Sequence, residues 1–481
     1  MKFLLLPLVL LLASAHVSFS QSIVRFKSSK PYAVLSFVET ASGQEVHSST
    51  FKRYIDTSAL KNDTAFSSLL NDFGRINLSY NYSREEYPAG RRQTRSTYDL
   101  LIIAAVRSNS LREFQENSIG ILSNNAHQQL FRVLEKAEPY YDRFVWAGSE
   151  RSVKDQIIGL KKYEAKANEM FRAFRHLYNS TWPDAIPFDV SVFPIPAVSG
   201  NTSATPHANS LCVAVLTGNK DLPGTMGVTL HEICHVLYDE QSGGFQHELD
   251  AMFKTSRSPF AAITYGFFDE AMATALGNGY AYKHFTGQID TTSWYNNPYI
   301  DGFAHAIYPL VEDYLAKKKT IDSSFVAQSI ELFGKAYPRS LSDYSILLNN
   351  MFLYADAEAS QDRARLKKII GKYFSSSRYN FSSPVLHEYS IGYIKKSKAT
   401  QLIIVDQNQD STISELKKTL PELEALLKDQ RSPNYVVSFF DNTKRPVVLI
   451  RVTSEAFLDK AFSLLKQKQY VDPATPLFIV E

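Results

Sequence analysis

The segment Val228–Leu237 carries the pattern His-Glu-x-x-His, with uncharged residues at the two inner positions and on both sides. Residues four apart share one face of a helix, so His231 and His235 can direct two imidazoles at a single metal ion. Glu232 follows the first histidine, where its carboxylate can reach a water on that ion and act as a general base. The alternative that these five residues leave open is a buried helix in which both histidines have a structural role.

Residues 1–20 have the features of a secretory signal peptide, namely one lysine, a short apolar run and small residues before Gln21. The apolar run is too short to span a bilayer comfortably, and later apolar runs are too short as well. We therefore expect an exported protein, periplasmic or extracellular, without stable membrane insertion.

The numbers of charged side chains are nearly balanced, with 52 Lys and Arg against 49 Asp and Glu. A protein that binds nucleic acid through its phosphates carries an excess of basic residues, and this chain does not. The composition therefore argues against nucleic acid as the main partner. It indicates neither an oligomeric state nor a particular partner.

The sequence predicts an α+β fold that is mostly helical, in three regions after the signal peptide. Residues 21–180 form a strand and helical region, in which Tyr32–Val38 is predicted to be a strand. Residues 181–397 form the core around the His-Glu-x-x-His helix. Residues 398–481 form a small α/β module.

Two strands are expected immediately before the motif helix, at Pro187–Pro194 and Leu211–Leu216. Helical periodicity resumes after the motif and includes residues 341–375. The polar stretch Asn77–Thr97, which contains several arginines, is predicted to be an exposed loop.

In residues 398–481, strand and helix patterns alternate in the order β-α-β-β-α-β, which is that of a ferredoxin-like module. This region carries no catalytic cluster, so we interpret it as a packing or interaction module. The two cysteines of the chain lie elsewhere, at Cys212 and Cys234. In an exported protein they can form a disulfide or remain two buried thiols, and the sequence leaves both open.

A catalytic zinc site needs a third protein ligand and an open position for water. The candidate is Glu270, in the segment Phe267–Gly277, where alanines alternate with other residues. Small alanine side chains let this helix approach the motif helix closely, as a shared metal requires. The alternative is an ordinary surface carboxylate on an alanine-rich helix.

The motif HEICH, followed by a helix with Asp-Glu-Ala-x-Ala, resembles the gluzincin metallopeptidases, the thermolysin-like and aminopeptidase-like zincins. The resemblance covers about residues 210–310 and does not specify a subfamily. It implies a zincin-like catalytic domain with one Zn²⁺ per chain, held by His231, His235 and Glu270, and Glu232 as the general base. The interval before Glu270 is longer than in many members, which implies an inserted helix or loop.

The segment Tyr299–His305 resembles the Tyr-x-Lys-Gly segment with which aminopeptidase-type gluzincins place a tyrosine hydroxyl on the transition-state oxyanion. The resemblance implies that Tyr299 is the catalytic donor. Asp301 stands where the family pattern usually has lysine. His305 and Tyr308, on the helix that follows, are alternative donors.

The strand Gly-x-Met-Glu-Asn, by which the aminopeptidase branch recognises a free N-terminus, is absent from the sequence. The strand Leu211–Leu216 is expected instead to pair with an extended peptide through its backbone. Endopeptidase and exopeptidase activity both remain open.

The sequence thus predicts a secreted or periplasmic zinc-dependent peptidase that acts on a peptide or protein substrate. A water activated by the metal would attack the peptide bond, and Glu232 would accept its proton. One alternative is a catalytically inactive, metallopeptidase-like binding or scaffold protein of the cell envelope. The other is a helical interaction protein in which the histidines are structural.

Overall fold

The computed structural model describes most of the chain, namely residues 22–88, 91, 93–357, 360–376 and 378–481. The predicted signal peptide, residues 1–20, lies outside the described residues. The chain divides into two compact units, of which the first comprises Met1–Thr255 with Tyr265–Val326. The second comprises Ser256–Thr264 with Ala327–Glu481.

The fold is α+β with more helix than strand, which confirms the predicted class. The strands are β1 (Val24–Lys27), β2 (Asn81–Ser83), β3 (Thr94–Ser96), β4 (Phe188–Ile195), β5 (Ala204–His207), β6 (Ser210–Leu216), β7 (Asn350–Tyr354), β8 (Arg378–Ser382), β9 (Thr400–Val405), β10 (Tyr435–Phe440), β11 (Pro446–Arg451) and β12 (Leu477–Ile479).

Helices alternate with these strands along the sequence. They are α1 (Lys30–Ser42), α2 (Ser49–Thr57), α3 (Thr64–Phe73), α4 (Thr97–Arg107), α5 (Leu111–Asn117), α6 (Asn124–Tyr141), α7 (Ala147–Lys161), α8 (Glu164–Tyr178), α9 (Leu222–Asp239), α10 (Gly243–Lys254), α11 (Ala261–Thr274), α12 (Tyr282–Thr286), α13 (Pro298–Ala316), α14 (Ser323–Ala336), α15 (Tyr344–Leu347), α16 (Ser360–Gly371), α17 (Glu388–Lys396), α18 (Gln409–Thr419), α19 (Glu422–Leu426) and α20 (Glu455–Lys468). Within the described residues, none of them is both long enough and apolar enough to cross a membrane.

The predicted strand Tyr32–Val38 is wrong, because this segment belongs to helix α1. The Ser29 hydroxyl accepts a hydrogen bond from the first turn of the helix, and Gly43 ends it in the left-handed conformation at φ 77°. Residues all around α1 are buried, from Pro31 to Ala41. A helix buried on every side lacks polar residues at helical spacing, so its short apolar run looks like that of a buried strand.

The first unit contains a four-stranded sheet in the order β1-β4-β6-β5. The strands β1, β4 and β6 are parallel, whereas β5 pairs antiparallel to β6. The predicted strands at Pro187–Pro194 and Leu211–Leu216 are confirmed as β4 and β6. However, β6 lies between two neighbours and has no edge to offer to a peptide. The edge strands are β1 and β5, and β5 is the one next to β6.

The motif helix α9 packs against strands β5 and β6 and against a π-helical turn, Ala275–Ala281, that continues α11. At this second contact the backbones come unusually close. A Cβ atom built on Gly277 would lie 2.5 Å from the carbonyl oxygen of Gly227 and 2.7 Å from the backbone nitrogen of His231. Both glycines are therefore needed for α9 and the turn after α11 to touch.

The two cysteines are separate buried thiols, so the disulfide alternative is not formed. Cys212 on β6 lies beside Tyr32 of α1, and Cys234 on α9 beside Tyr178 of α8. Burial raises the pKa of both thiols far above its ordinary value.

The second unit contains a six-stranded sheet in the order β12-β10-β11-β9-β7-β8. The four strands predicted for residues 398–481 are present, but the ferredoxin-like arrangement is wrong. A ferredoxin-like sheet is antiparallel throughout, whereas β9 and β11 pair in parallel. In addition, β7 and β8 extend the same sheet, and β7 interrupts the predicted helical segment 341–375.

Alternate residues of this sheet point into two separate apolar cores, one on each face. In β9, Leu402 and Ile404 belong to the first core, and Ile403 and Val405 to the second. Because both faces are covered, the strands are apolar at almost every position rather than at every second one.

The replacement Gly277→Ala should destabilise the first unit by about 1–3 kcal/mol, because the new methyl group meets backbone atoms that cannot rotate away. The matched control is Gly266→Ala on α11, where an added Cβ has no atom within 4 Å. Urea denaturation of the two variants and the parent measures the difference. Equal unfolding midpoints for the two variants would contradict the close contact.

Candidate metal centre

Helix α9 begins with a strong N-terminal cap and carries the motif in its second half. The Asp221 carboxylate accepts a hydrogen bond of 2.9 Å from Gly224 N, and Pro223 occupies the first turn. The helix ends at Asp239, so the motif lies well inside a continuous helix. This local geometry is the one that the spacing of the two histidines predicts.

The two histidines and Glu270 converge on one point within the first unit. The Nε2 atoms of His231 and His235 are 3.1 Å apart. Glu270 Oε2 lies 3.6 Å from each of these nitrogens. The three residues present one ligand atom each within 4.8 Å of one another, so they can hold a metal ion.

The surroundings of Glu270 fit a cation. Its Oε2 atom is buried and has no hydrogen-bond partner among the described residues. A buried carboxylate oxygen is costly unless a donor or a positive charge faces it. A metal ion bound between Oε2 and the two imidazole nitrogens would satisfy it.

Charges around the site favour a cation as well. Burial opposes a charge on His235, but Asp269, whose Oδ1 lies 3.1 Å from His235 Nδ1, outweighs it and raises the pKa of His235 to about 10. Burial also opposes the charge on Glu270, yet His231, His235 and the nearby Tyr295 hydroxyl together lower the pKa of Glu270 to about 2. The Glu270 carboxylate therefore stays ionised and attracts positive charge.

Asp269 also orients the ring of His235, since a carboxylate on Nδ1 leaves Nε2 directed at the metal position. The sequence suggested no partner for either histidine, although Asp269 directly precedes Glu270. Among the described residues, His231 Nδ1 is buried without a hydrogen-bond partner. The two histidines thus differ, because the Nδ1 atom of His235 has a carboxylate partner and the Nδ1 atom of His231 has none among the described residues.

Glu232 is buried next to the group, with 8 % of its surface exposed. Burial raises the pKa of its carboxyl, against the opposing effect of His231 and His235. Its charge also contributes to the raised pKa of the Cys212 thiol. A carboxyl with a raised pKa is better able to take up a proton from water than an ordinary one.

Tyr295 is a site residue that the sequence interpretation missed. Its ring lies nearly parallel to that of His231, at a centroid distance of 6.0 Å and an angle of 16°. Its hydroxyl lies near the carboxylate of Glu270, and burial together with Glu270 raises the pKa of the Tyr295 phenol. No sequence motif includes Tyr295. The only sequence signal for a site residue there is its position four residues before Tyr299.

The predicted oxyanion donor Tyr299 lies in the first turn of α13, where its ring packs against Phe267 at 6.3 Å. Its catalytic role stays a prediction. The two alternatives have partners away from the metal group. The His305 ring stacks on Trp294 at 3.8 Å, and the Tyr308 hydroxyl donates to Glu312 at 2.7 Å.

The end of α9 is held by two arginines of the stretch that was predicted to be an exposed loop. Arg91 is buried, stacks over the ring of Tyr238 at 3.4 Å and donates a hydrogen bond to its carbonyl oxygen. Arg95 pairs with Asp239 at 2.8 Å. Cations at a helix C-terminus are stabilising, because they face the unpaired carbonyl groups there. The exposed-loop prediction is therefore wrong for these two residues.

No protein-family model, no curated protein and no solved structure matches this chain. The geometry of the metal group therefore stands on the residues of this chain alone.

The metal affinity should rise with pH, because the proton that His235 holds in the metal-free protein must leave when a metal binds. Asp269→Asn removes the charge that raises the pKa of His235. The plot of log affinity against pH should then lose about one unit of slope above neutral pH. Competition of Zn²⁺ between the protein and a fluorescent chelator gives both slopes. The control is Asp313→Asn at a partly exposed position of α13, where Asp313 pairs with Lys317, and equal slopes for the parent and Asp269→Asn would refute the coupling.

Proposed function

We propose that the protein is a zinc-dependent peptidase that hydrolyses peptide bonds of a peptide or protein substrate. The observation that carries this proposal is the convergence of His231, His235 and Glu270 at one point. Two imidazoles and one carboxylate are the ligand set of catalytic zinc sites that keep a fourth position open. Histidine nitrogens favour zinc over the harder cations magnesium and calcium.

Zinc, when bound, supplies Lewis acidity that polarises a peptide carbonyl and makes a water acidic enough to lose its proton near neutral pH. The chain's own residues provide the rest. Glu232 accepts the proton of the attacking water and passes it to the leaving amine. Asp269 holds His235 in the orientation that the site requires.

The Tyr295 hydroxyl is a second candidate for a donor to the oxyanion that develops on the carbonyl oxygen, because the Tyr295 ring lies beside His231. It is adjacent to Glu270 and His231, whereas Tyr299 remains the donor that the family resemblance implies. Substitution by phenylalanine at each of the two positions separates these candidates.

The sheet of the first unit supports a zincin-like catalytic domain. Its antiparallel edge strand, β5, packs next to α9, and an extended peptide can add to such an edge through main-chain hydrogen bonds. The backbone groups of Ala204 and Pro206 alternate with those that face β6, so such a peptide can pair with the N–H and carbonyl of Ala204 and with the carbonyl of Pro206, which has no N–H. Substrate binding at β5 replaces the predicted binding at Leu211–Leu216.

Export to the periplasm or the extracellular space is part of the proposal and rests on the composition of residues 1–20. The second candidate function is a catalytically inactive, metallopeptidase-like scaffold of the cell envelope. One observation favours it, namely that the Tyr295 hydroxyl lies near the Glu270 carboxylate, which can accept its proton in place of a substrate oxygen.

The replacement Glu232→Gln should leave zinc bound while lowering kcat by about 10²- to 10⁴-fold, because the amide cannot accept the proton of the water. The assay combines metal analysis of the purified protein with cleavage of a peptide library, read by mass spectrometry. Glu248→Gln, at an exposed position of α10, is the matched control and should cleave at the parent rate.

Parent protein that binds one zinc and cleaves no peptide would support the inactive scaffold instead. Cleavage by Glu232→Gln at the parent rate would contradict the role of Glu232 as general base. Parent protein without stoichiometric zinc would favour a structural role for the histidines.

A further inference from the structure

The segment between α12 and α13, residues 287–297, is anchored by Trp294. Its indole ring is 5 % exposed, stacks on His305 at 3.8 Å and meets the ring of Tyr308 edge-on at 5.4 Å. The indole N–H donates to the carbonyl oxygen of Asp290 at 2.9 Å, which closes the segment on itself. A large aromatic side chain with its N–H satisfied is a strong anchor for a loop.

The π-helical turn Ala275–Ala281 lines part of the pocket that holds this tryptophan. A Cβ atom on Gly279 would lie 2.8 Å from two atoms of the indole ring, so glycine provides the space that Trp294 fills. The side-chain amide of Asn278 donates to the carbonyl oxygen of Trp294 at 3.2 Å. The turn that touches α9 on one side therefore also holds this segment.

Asp301, in the first turn of α13, fixes the backbone next to the site. Its Oδ1 atom accepts hydrogen bonds from Trp294 N at 2.6 Å and from Tyr295 N at 3.2 Å. A carboxylate that receives two backbone N–H groups makes charge-assisted bonds, which are stronger than neutral ones. The peptide groups on both sides of the Trp294 Cα atom are held in this way.

These contacts explain why the Tyr295 side chain reaches the metal group. With its backbone nitrogen bound to Asp301 and its neighbour buried, Tyr295 places its ring beside His231 and its hydroxyl near the Glu270 carboxylate. We propose that Asp301 and Trp294 are positioning residues, which hold Tyr295 so that its hydroxyl restrains the Glu270 carboxylate as a metal ligand. This inference rests on the proposed zinc site and assigns a role to Asp301, where the family pattern usually has lysine.

A carboxylate that binds a metal is held in place by the hydrogen bonds that it accepts. Loss of such an outer partner typically weakens metal binding by about 10- to 100-fold. If Asp301 acts through Tyr295, its loss should weaken zinc binding only while the Tyr295 hydroxyl is present. Two residues that stabilise the fold independently would instead give effects that add.

The test is a double-mutant cycle of Tyr295→Phe and Asp301→Ala in the full chain, read as the zinc dissociation constant by chelator competition. Each single variant should bind zinc about tenfold more weakly, and the double variant should bind no more weakly than Tyr295→Phe. Asp301→Asn keeps a neutral acceptor and should lie between parent and Asp301→Ala, and it replaces Asp301→Ala if that variant does not fold. Asp313→Ala, partly exposed on the same helix, should bind like the parent.

A second readout uses no metal. Tyrosine is replaced throughout by 3-fluorotyrosine, and the ¹⁹F resonance of Tyr295 is assigned by its absence in Tyr295→Phe. Asp301→Ala should shift or broaden this resonance in the metal-free protein, and Asp313→Ala should not.

An unchanged Tyr295 resonance, or equal losses of zinc affinity from Asp301→Ala with and without the Tyr295 hydroxyl, would overturn the positioning role. Parent protein that binds zinc and shows this coupling but cleaves no peptide would refute the peptidase proposal alone. Parent protein that binds no zinc would overturn both, whatever the ¹⁹F spectra show.

Discussion

The close contact between α9 and the turn that follows α11 is the constraint on which the metal centre depends. His231 and His235 lie on one helix, and Glu270 lies on another that is distant in sequence. Glu270 Oε2 lies 3.6 Å from each imidazole nitrogen, so the two helices must be fixed relative to each other for the three ligands to meet. Gly227 and Gly277 remove the Cβ atoms that would keep them apart.

The same turn organises the other side of the site. Asn278 and Gly279 hold Trp294, which anchors the segment that carries Tyr295. The π-helical turn Ala275–Ala281 therefore contacts both the motif helix α9 and the segment that carries Tyr295. Insertions of this kind are common at functional sites, because they shift the register of side chains within a helix.

The sequence allowed the local part of the site to be predicted. The positions of His231, Glu232 and His235 follow from helical periodicity, and the structure brings Glu270 to them as the resemblance to gluzincins implied. Tyr295 could not be predicted, because its place depends on hydrogen bonds to Asp301 and on the burial of its neighbour. Neither leaves a pattern in the local sequence.

The fold was predictable to a similar extent. Strands β4 and β6, bounded by prolines or turn residues, were found, whereas α1 was taken for a strand because its buried apolar run lacks helical periodicity. The C-terminal strands were also found, but their order in the sheet was not. Strand order depends on which apolar faces meet in three dimensions, and the parallel pairing of β9 with β11 has no local signal.

The central claim is that His231, His235 and Glu270 together bind zinc, and X-ray absorption at the zinc edge tests it most directly. We expect one zinc per chain with nitrogen and oxygen neighbours at about 2.0–2.2 Å, two of them imidazoles. Glu270→Ala should lower the occupancy. A sulfur neighbour at about 2.3 Å, or protein that retains no zinc after purification, would contradict this ligand set.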